Sequence, residues 1–398
     1  MHAISVEERR ARLARRHRLA PGSRAGDAVE AARSLVCLHA TTPSSVYLSA
    51  WARVDGFTVA AMDKALYSDR DLVKHIAMRR TLFAFPTDAL GAVQAGASAK
   101  VGEAESRRLV REVEQAGLHR DGTAWLAKAG QAVLDALADG RELTSTELRE
   151  EIPLLSGSIT YGAGKSWGGQ SPVGPRVLTI LSARGQVVRA SNDGPWTSSR
   201  PRWAAMRSWT GRSVPEVDRS AGVATLVRWW LAAFGPGTLE DIKWWLGGTV
   251  AATRRALADV GAVEVALGEK TGFVLPDDVG PTAPVDPWAA LLPELDPATM
   301  GWFDRDWYLR GHRHQLFDSN GNGGNTAWWD GRIVGGWHQS PAGEVVVDLL
   351  EDVGREARRA LEVEAGRLTD WLGGIRVTGR YPSPLSKRVP GGGPVAGT

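Results

Sequence analysis

Apolar residues recur among charged residues at helical spacing in the N-terminal part of the chain. Ser5, with Glu8 three positions later, predicts a capped helix over "SVEERRARLARRHRL". A second helix is predicted from about Asp27 to Ala40. A third is predicted to begin after Pro43, with one of the next two serines as its cap.

A short apolar run from Thr81 to Phe85 ends at Pro86 and predicts a strand. Two longer helical stretches follow, around Leu90 to Gln115 and Thr123 to Ala138. With the three N-terminal helices, this strand indicates a helix-turn-helix with a wing, although many small α+β units share the pattern.

The same order of elements recurs twice further along the chain. After a helix capped by Thr144, another is predicted from Pro175 to Gly185, followed by a strand, a turn at "NDGPW" and a return strand. A later segment repeats helix, helix, helix, strand, strand, with Thr238 capping its middle helix. This repetition favours tandem winged-helix units over a single enzyme barrel. The tryptophans of the later segment are expected to pack in its core: Trp229, Trp230, Trp244 and Trp245.

The C-terminal part is richer in strand patterns. "TAWW-DG-RIVGGW" predicts a hairpin that turns at Asp330-Gly331, and a charged helix is predicted to end near Leu372. We therefore expect an α+β chain of three tandem winged-helix units and a C-terminal β-rich domain. The predicted boundaries are 1–138, 139–213, 214–278 and 279–385, with a disordered tail over 386–398.

The composition is that of a soluble protein with several domains: 398 residues, of which 43% are hydrophobic and 23% charged. No apolar run is long enough to cross a membrane, and the N-terminus has no signal-peptide core. Cys37 is the only cysteine, which excludes a disulfide framework and a multi-cysteine zinc site. We expect a cytoplasmic protein that uses no metal and no organic cofactor.

Positive charge is concentrated in the second predicted unit. Residues 152–212 contain eight basic residues and one acid, Asp193, whereas the whole chain carries only +3. A local excess of this size attracts phosphates, because binding releases counterions from the polyanion. A GC-rich coding sequence would explain the abundance of arginine equally well. The basic residues on the predicted recognition helix and wing are candidate DNA contacts: Lys165, Arg176, Arg184, Arg189, Arg200 and Arg202.

The common enzyme signatures are absent or incomplete. "YGAGKS" ends in Gly-Lys-Ser but lacks the first glycine of a phosphate-binding loop. His312 and His314 would share a face on a strand, but no third metal ligand is evident. The remaining candidates are His39 and Thr41, which lie two positions apart just before Pro43. They indicate either a structural histidine at a helix end or a reaction centre.

Four stretches resemble the winged-helix DNA glycosylases of the AlkZ and YcaQ type. They are "LHATTPSSVYLSAWAR", "HIAMRRTLFAFP", "LLPELDPATMGWFDRDWYL" and "WWDGRIVGGW", and the resemblance extends from about Ala11 to Arg380. It implies a C-shaped protein that cradles double-stranded DNA and removes N7-alkylated purines, including bulky antibiotic adducts, often as self-resistance. The catalytic motif of the family is Gln-x-Gln or Gln-x-Asp, on the segment that here reads His39-Ala40-Thr41.

His39 and Thr41 therefore stand where the family has Gln and Gln or Asp, and this difference is compatible with catalysis. Alkylation at N7 makes the purine cationic and a good leaving group, so the enzyme mainly has to place a water and tolerate an oxocarbenium-like sugar. A histidine can hold or deprotonate that water near neutral pH, and the Thr41 hydroxyl can orient it. We therefore expect His39 and Thr41 to be catalytic. No lysine lies near the motif, so no Schiff-base lyase step is expected.

Further site residues are expected from the same reasoning. Arg79 and Arg80 are candidate DNA contacts in the first predicted unit. The hairpin formed by Trp329, Asp330, Gly331 and Arg332 would either insert in a groove near the lesion or simply close the β domain. We expect a monomer that binds lesion-containing duplex DNA at the nucleoid. The alternatives are a winged-helix transcription regulator and a protein that sequesters the adduct without cleaving it.

Overall fold

The computed structural model describes residues 2–161 and 168–388, which form two compact units. Unit 1 comprises Met1–Asp63, Trp196–Ser198 and Val227–Thr398, and unit 2 comprises Lys64–Pro195 and Ser199–Leu226. The four domain boundaries expected from the sequence stay a prediction. Of the expected disordered tail, Ser386–Arg388 form one turn of 3₁₀-helix and the rest lies outside the described residues.

Unit 1 combines many short helices with two antiparallel-rich sheets. Its helices are Val6–Arg16, Ala28–Ser34, Pro43–Trp51, Val59–Asp63, Leu239–Leu246, Val250–Asp259, Pro297–Met300, Asp306–Leu309, Arg313–Leu316 and Gly354–Leu372, with the C-terminal part of Arg219–Phe234. Its strands are His2–Ala3, Leu38–His39, Gly237–Thr238, Val263–Leu267, Lys270–Val274, Ala289–Leu292, Thr326–Trp329, Arg332–Gln339 and Val345–Leu349.

Two sheets organise unit 1. In one, the strands run in the order His2–Ala3, Val263–Leu267, Lys270–Val274, Gly237–Thr238, with the first pair parallel. The other follows the chain from Ala289–Leu292 to Val345–Leu349 with antiparallel neighbours throughout. The first strand of this second sheet is Ala289–Leu292, and Glu294 and Asp296 lie in the turn that follows it.

The core of unit 1 is aromatic. Trp230 and Trp328 are fully buried, and Trp302 lies between the rings of Phe234 and Tyr308 at centroid distances of 5.2 and 5.7 Å. The packing role expected for the tryptophan pairs is confirmed for Trp230 and Trp245, whereas Trp229 and Trp244 are only half-buried.

Unit 2 consists of helices with three two-stranded antiparallel hairpins. The hairpins are Leu72–Ile76 with Leu82–Pro86, Ser158–Tyr161 with Gly169–Pro172, and Val187–Asn192 with Pro201–Ala205. The helices are Leu90–Val93, Ala99–Gln115, Gly122–Ala136, Ser145–Glu151, Val173–Ala183 and Met206–Thr210, with short π or 3₁₀ turns at Lys64–Ser68, Met78–Arg80, Thr87–Ala89, Gln94–Ser98 and Pro153–Leu155. Leucines and valines of four of these helices form its main core, together with Trp125 and Trp203.

Local sequence signals account for the helix starts that were predicted correctly. The Ser5 hydroxyl accepts a hydrogen bond from the Glu8 amide at 3.1 Å, so this cap is confirmed. Complete capping boxes form at Thr144 with Glu147 and at Thr238 with Asp241. Each box satisfies amide donors that the first helical turn would otherwise leave unpaired.

Two helix predictions near the candidate site were wrong. The helix expected to reach Ala40 ends at Ser34, because Val36 adopts a left-handed conformation with φ of 67° that a continuous helix cannot contain. The next helix, Pro43–Trp51, starts at its proline with Thr42 in the cap position, rather than after a cap at Ser44 or Ser45.

Within the described residues, no helix is both long and apolar enough to span a membrane. His312 and His314 do not alternate on a strand as the sequence suggested. His312 precedes the short helix Arg313–Leu316, which contains His314.

Candidate active site

His39 lies on an extended segment between two helices of unit 1, rather than at a helix end. The segment is the two-residue strand Leu38–His39, and the His39 side chain is only 7% exposed. The Thr41 amide donates a hydrogen bond of 3.4 Å to His39 Nδ1. A neutral ring that accepts at Nδ1 carries its proton on Nε2. In this tautomer the Nε2 hydrogen is the one that the His39 ring can donate.

Thr41 is half-buried and Thr42 is buried, so their side chains lie in different surroundings. Thr42 occupies the cap position of the Pro43–Trp51 helix, but its hydroxyl does not cap the helix. It donates instead to the Glu294 carboxylate, and the Ser45 hydroxyl donates to the Glu294 carbonyl oxygen at 2.9 Å. The end of the candidate segment is therefore fixed to the turn that contains Glu294.

Glu294 is a buried carboxylate that the sequence reasoning did not single out. It is 4% exposed and accepts hydrogen bonds of 2.9 Å from the amides of both Arg380 and Tyr381. Burial raises the pKa of Glu294, while the hydrogen bonds from Thr42, Tyr381 and Arg380 act in the opposite direction. The signal available in the sequence was its position in "LLPELDPATMGW", one of the stretches that carry the family resemblance.

Asp296 anchors the Pro43–Trp51 helix two residues beyond Glu294. Its carboxylate accepts hydrogen bonds from both terminal nitrogens of Arg53 at 2.7 and 2.8 Å and from the Ser49 hydroxyl at 2.6 Å. Its other role is local, because it also accepts the Ala298 amide at the start of a short helix. Leu295, between the two acids, adopts a left-handed conformation with a φ of 61°.

The predicted Asp330-Gly331 turn is confirmed. Both residues have positive φ, 46° and 75°, as a two-residue hairpin turn requires. Gly331 is buried, and a β-carbon placed on it would lie 2.5 Å from Cβ of Arg10 in the first helix. Arg332 pairs with Glu351 at 2.9 Å, and Trp329 is half-buried. The hairpin tip thus packs within unit 1, and its insertion near a lesion stays a prediction.

Arg79 and Arg80 occupy the tip of the Leu72–Ile76/Leu82–Pro86 hairpin in unit 2. Both are exposed and adopt left-handed conformations, with φ of 54° and 59°. Arg80 pairs with Glu105 at 3.2 Å. Two exposed arginines thus follow one another at this turn, and their role as phosphate contacts stays a prediction.

The other arginines predicted to bind DNA have varied surroundings within unit 2. Arg176 pairs with Glu112 at 2.5 Å, and Arg202 pairs with Asp193 at 2.8 Å and Glu147 at 3.0 Å. Arg184 donates to the Ser106 hydroxyl at 3.0 Å.

The remaining candidate DNA contacts of unit 2 are Arg189, Arg200 and Lys165. The Arg189 guanidinium lies 5.4 Å from the Trp203 ring centroid, and Arg200 is exposed. Lys165 lies outside the described residues. The structure therefore gives Arg176 and Arg202 carboxylate partners that the local charge count had not taken into account, because Glu112 and Glu147 lie outside the basic segment.

Comparisons with known proteins place the chain in one family. A family model described as AlkZ-like DNA glycosylase matches residues 32–371. Among solved structures, the chain is similar to the Streptomyces sahachiroi DNA glycosylase AlkZ with a TM-score of 0.74 and 22% sequence identity, covering 94% of this chain and 98% of that one. A search of curated proteins finds no match. The expected α+β class is confirmed by this fold similarity, and the expected resemblance is confirmed by the family match. The chain belongs to the AlkZ-like family of DNA glycosylases.

Proposed function

We propose that this protein hydrolyses the N-glycosidic bond of alkylated purines in duplex DNA. Its lesions would be bulky N7-guanine adducts of a genotoxic antibiotic, so that it serves repair and self-resistance in the cytoplasm. The proposal is supported by the family match, which includes the His39-Ala40-Thr41 segment where the resemblance places the catalytic motif. In this segment, the hydrogen bond from the Thr41 amide to His39 Nδ1 orients the imidazole.

The proposed reaction needs little from the protein beyond positioning. The bond between C1′ and N9 breaks, and its electron pair leaves with the base and neutralises the positive charge created by alkylation. Water adds to C1′ and loses a proton to solvent, which leaves an abasic site in an intact backbone. His39 holds the water by donating from Nε2, and the Thr41 hydroxyl orients it.

We further propose that DNA is bound by tandem winged-helix units, with the protein acting as a monomer. The candidate phosphate contacts are Arg79, Arg80, Lys165, Arg176, Arg184, Arg189, Arg200 and Arg202. Arg79, Arg80, Arg184 and Arg200 are the best supported because they are exposed. Arg176 and Arg202 would have to exchange a carboxylate for a phosphate, at some cost in affinity.

The experiment that tests this function is base release from a duplex carrying one N7-alkylguanine. Wild type, His39→Ala and Thr41→Ala are compared, and alkali then cleaves any abasic site. His314→Ala is the matched control because His314 is an exposed histidine of the same unit. We expect release by wild type and by the control, and its loss in His39→Ala.

The alternatives give different outcomes in the same experiment. Binding that is specific for the adduct, without release by wild type, would indicate a sequestering protein. Binding that depends on DNA sequence rather than on the adduct would indicate a transcription regulator. Equal release by wild type and His39→Ala would place the reaction centre elsewhere.

A further inference from the structure

The chain beyond the long helix Gly354–Leu372 is irregular but firmly attached to unit 1. The Val377 amide donates to the Gln339 side-chain oxygen at 2.8 Å, and Ser383 is 2% exposed. Between these two points, the amides of Arg380 and Tyr381 donate to Glu294. This segment follows the residues matched by the family model, which end at 371.

One oxygen atom connects this segment to the candidate active site. Glu294 Oε1 accepts both the Thr42 hydroxyl and the Arg380 amide. Since a hydrogen bond spans about 3 Å, the Arg380 nitrogen lies within roughly 6 Å of the Thr42 hydroxyl. Thr42 directly follows Thr41, so the backbone of Arg380 lies next to the candidate catalytic segment.

Close packing fixes the approach of this segment to Glu294. A β-carbon on Gly379 would lie 2.8 Å from Glu294 Oε2, a contact that real structures essentially never show. The carboxylate is buried and holds three donors, so it cannot easily move aside. Glycine at 379 is therefore what allows the next two amides to reach Glu294.

The Arg380 side chain itself is exposed. Its guanidinium acts electrostatically on the Glu294 carboxyl, and within residues 2–161 and 168–388 no carboxylate lies within ion-pair distance of it. The exposed Arg380 side chain thus extends from a backbone that is fixed next to the candidate site, and in the described part of the chain no carboxylate forms an ion pair with it. A planar guanidinium in such a position is suited to two-point binding of a phosphate.

We propose that Arg380 binds a DNA phosphate next to the alkylated nucleotide and that Glu294 is the positioning residue that holds Arg380 beside His39 and Thr41. The proposal rests on the proposed function only in assuming that the lesion is presented to that segment. Glu294 touches neither the DNA nor the reacting water. It acts through the backbone of Arg380 and through the Thr42 hydroxyl.

The test is a map of phosphate contacts in which binding, not base release, is measured. The probe is a duplex with one tetrahydrofuran abasic-site analogue and a single neutral methylphosphonate placed in turn at each phosphate around it. The full chain is compared with Arg380→Ala and Arg380→Lys. Arg359→Ala is the matched control, because Arg359 is an exposed arginine of the same unit on the long helix.

We expect wild type to lose affinity when one particular phosphate is neutralised, and Arg380→Ala to be insensitive at that position alone. The logarithm of the binding constant should also depend less steeply on the logarithm of salt concentration, by about 0.9 for one lost phosphate contact. Arg380→Lys should retain the salt slope with weaker affinity, and Arg359→Ala should leave the map unchanged. An unchanged map in Arg380→Ala, or a uniform loss at all positions, would overturn the proposal.

The role of Glu294 has its own variants. Glu294→Gln should reduce the contribution of the same phosphate to binding and leave the contributions of the other phosphates in place. Gly379→Ala should have the same effect, because it displaces the segment that contains Arg380. The second variant keeps the test available if Glu294→Gln fails to fold. A wild-type contact map in folded Glu294→Gln would overturn the positioning role. Because binding is measured on an uncleavable analogue, a wild type that releases no base would contradict the proposed function while leaving the Arg380 result readable.

Discussion

Arg53 and Asp296 form a two-point ion pair in which both side chains are completely buried, at 0% exposure each. The pair joins the helix that follows the candidate segment to the turn that carries Glu294. Arg53 additionally donates to the carbonyl oxygens of Ser49 and His17, and Asp296 accepts Ser49 and Ala298, so the charges are surrounded by hydrogen-bond partners. These hydrogen bonds, together with the attraction between the two charges, offset the free-energy cost of removing both groups from water.

Removing one partner of this pair should be strongly destabilising. Asp296→Asn leaves the Arg53 guanidinium buried without a counter-charge, for which we expect a loss of about 3–5 kcal/mol in the free energy of unfolding. The ion pair of exposed Lys270 with half-buried Asp304 in the same unit is the control, and Lys270→Met should cost no more than about 1 kcal/mol. Urea unfolding of both variants checks the prediction, which equal losses would contradict.

The elements that could be predicted from the sequence are those whose cause is local. Thr144 with Glu147, Thr238 with Asp241, and Asp330 with Gly331 each need residues at most three positions apart, and all three formed as expected. The left-handed conformation of Val36 has no such signal, because a β-branched residue is disfavoured there. Surrounding packing has to impose it, and the helix predicted to Ala40 was therefore too long.

The parts of the site that sequence reasoning missed depend on contacts between distant positions. Glu294 meets Thr42 across 252 positions and Arg380 across 86, and no periodicity connects them. The same limit applies to charge. The net charge of residues 152–212 suggested basic side chains without acidic partners, but Arg176 pairs with Glu112, which lies outside that segment. The family resemblance pointed to His39 and Thr41, whose catalytic role stays a prediction, and only the structure shows their surroundings.

Glu294 should make folding stability depend on pH in an unusual direction for an acid. Burial raises its pKa in the folded chain above the ordinary value of 4.5. Its contribution is therefore fully present below about pH 4.5 and is lost as pH rises through the higher pKa of the folded state. The free energy of unfolding of wild type minus that of Glu294→Gln should fall between pH 4 and neutrality. A difference that rises over this range would show that the hydrogen bonds outweigh burial.

His75 should contribute the opposite pH dependence in unit 2. Its ring is fully buried against Gln94 at 3.1 Å, and burial lowers its pKa to about 4. The folded chain thus resists protonation that the unfolded chain accepts below about pH 6.5, so stability present above that pH is lost as the pH falls toward 4. The full effect is about 3 kcal/mol.

The measurement for His75 is hydrogen exchange of the strand Leu72–Ile76, compared at each pH between wild type and His75→Gln. Protection in the variant should change less as the pH is lowered from 6.5 to 4.5. His119→Gln is the control, since His119 is an exposed histidine of the same unit, and it should follow wild type. Identical profiles for wild type and His75→Gln would exclude His75 as a source of acid sensitivity.

Alanine substitutions at Gly331 and Gly268, which lie in two different hairpin turns, separate the effect of backbone strain from the effect of packing at the Asp330-Gly331 turn. Both have positive φ, 75° and 62°, so alanine at either position adopts a disfavoured conformation. Only at Gly331 would the new β-carbon meet a neighbour, because Cβ of Arg10 lies 2.5 Å away, whereas nothing lies within 4 Å at Gly268. We expect Gly268→Ala to cost about 1 kcal/mol in the free energy of unfolding, and Gly331→Ala to cost about 1–3 kcal/mol more. Urea unfolding of the two variants checks this, and equal losses would mean that the hairpin tip does not pack against the first helix as closely as the structure shows.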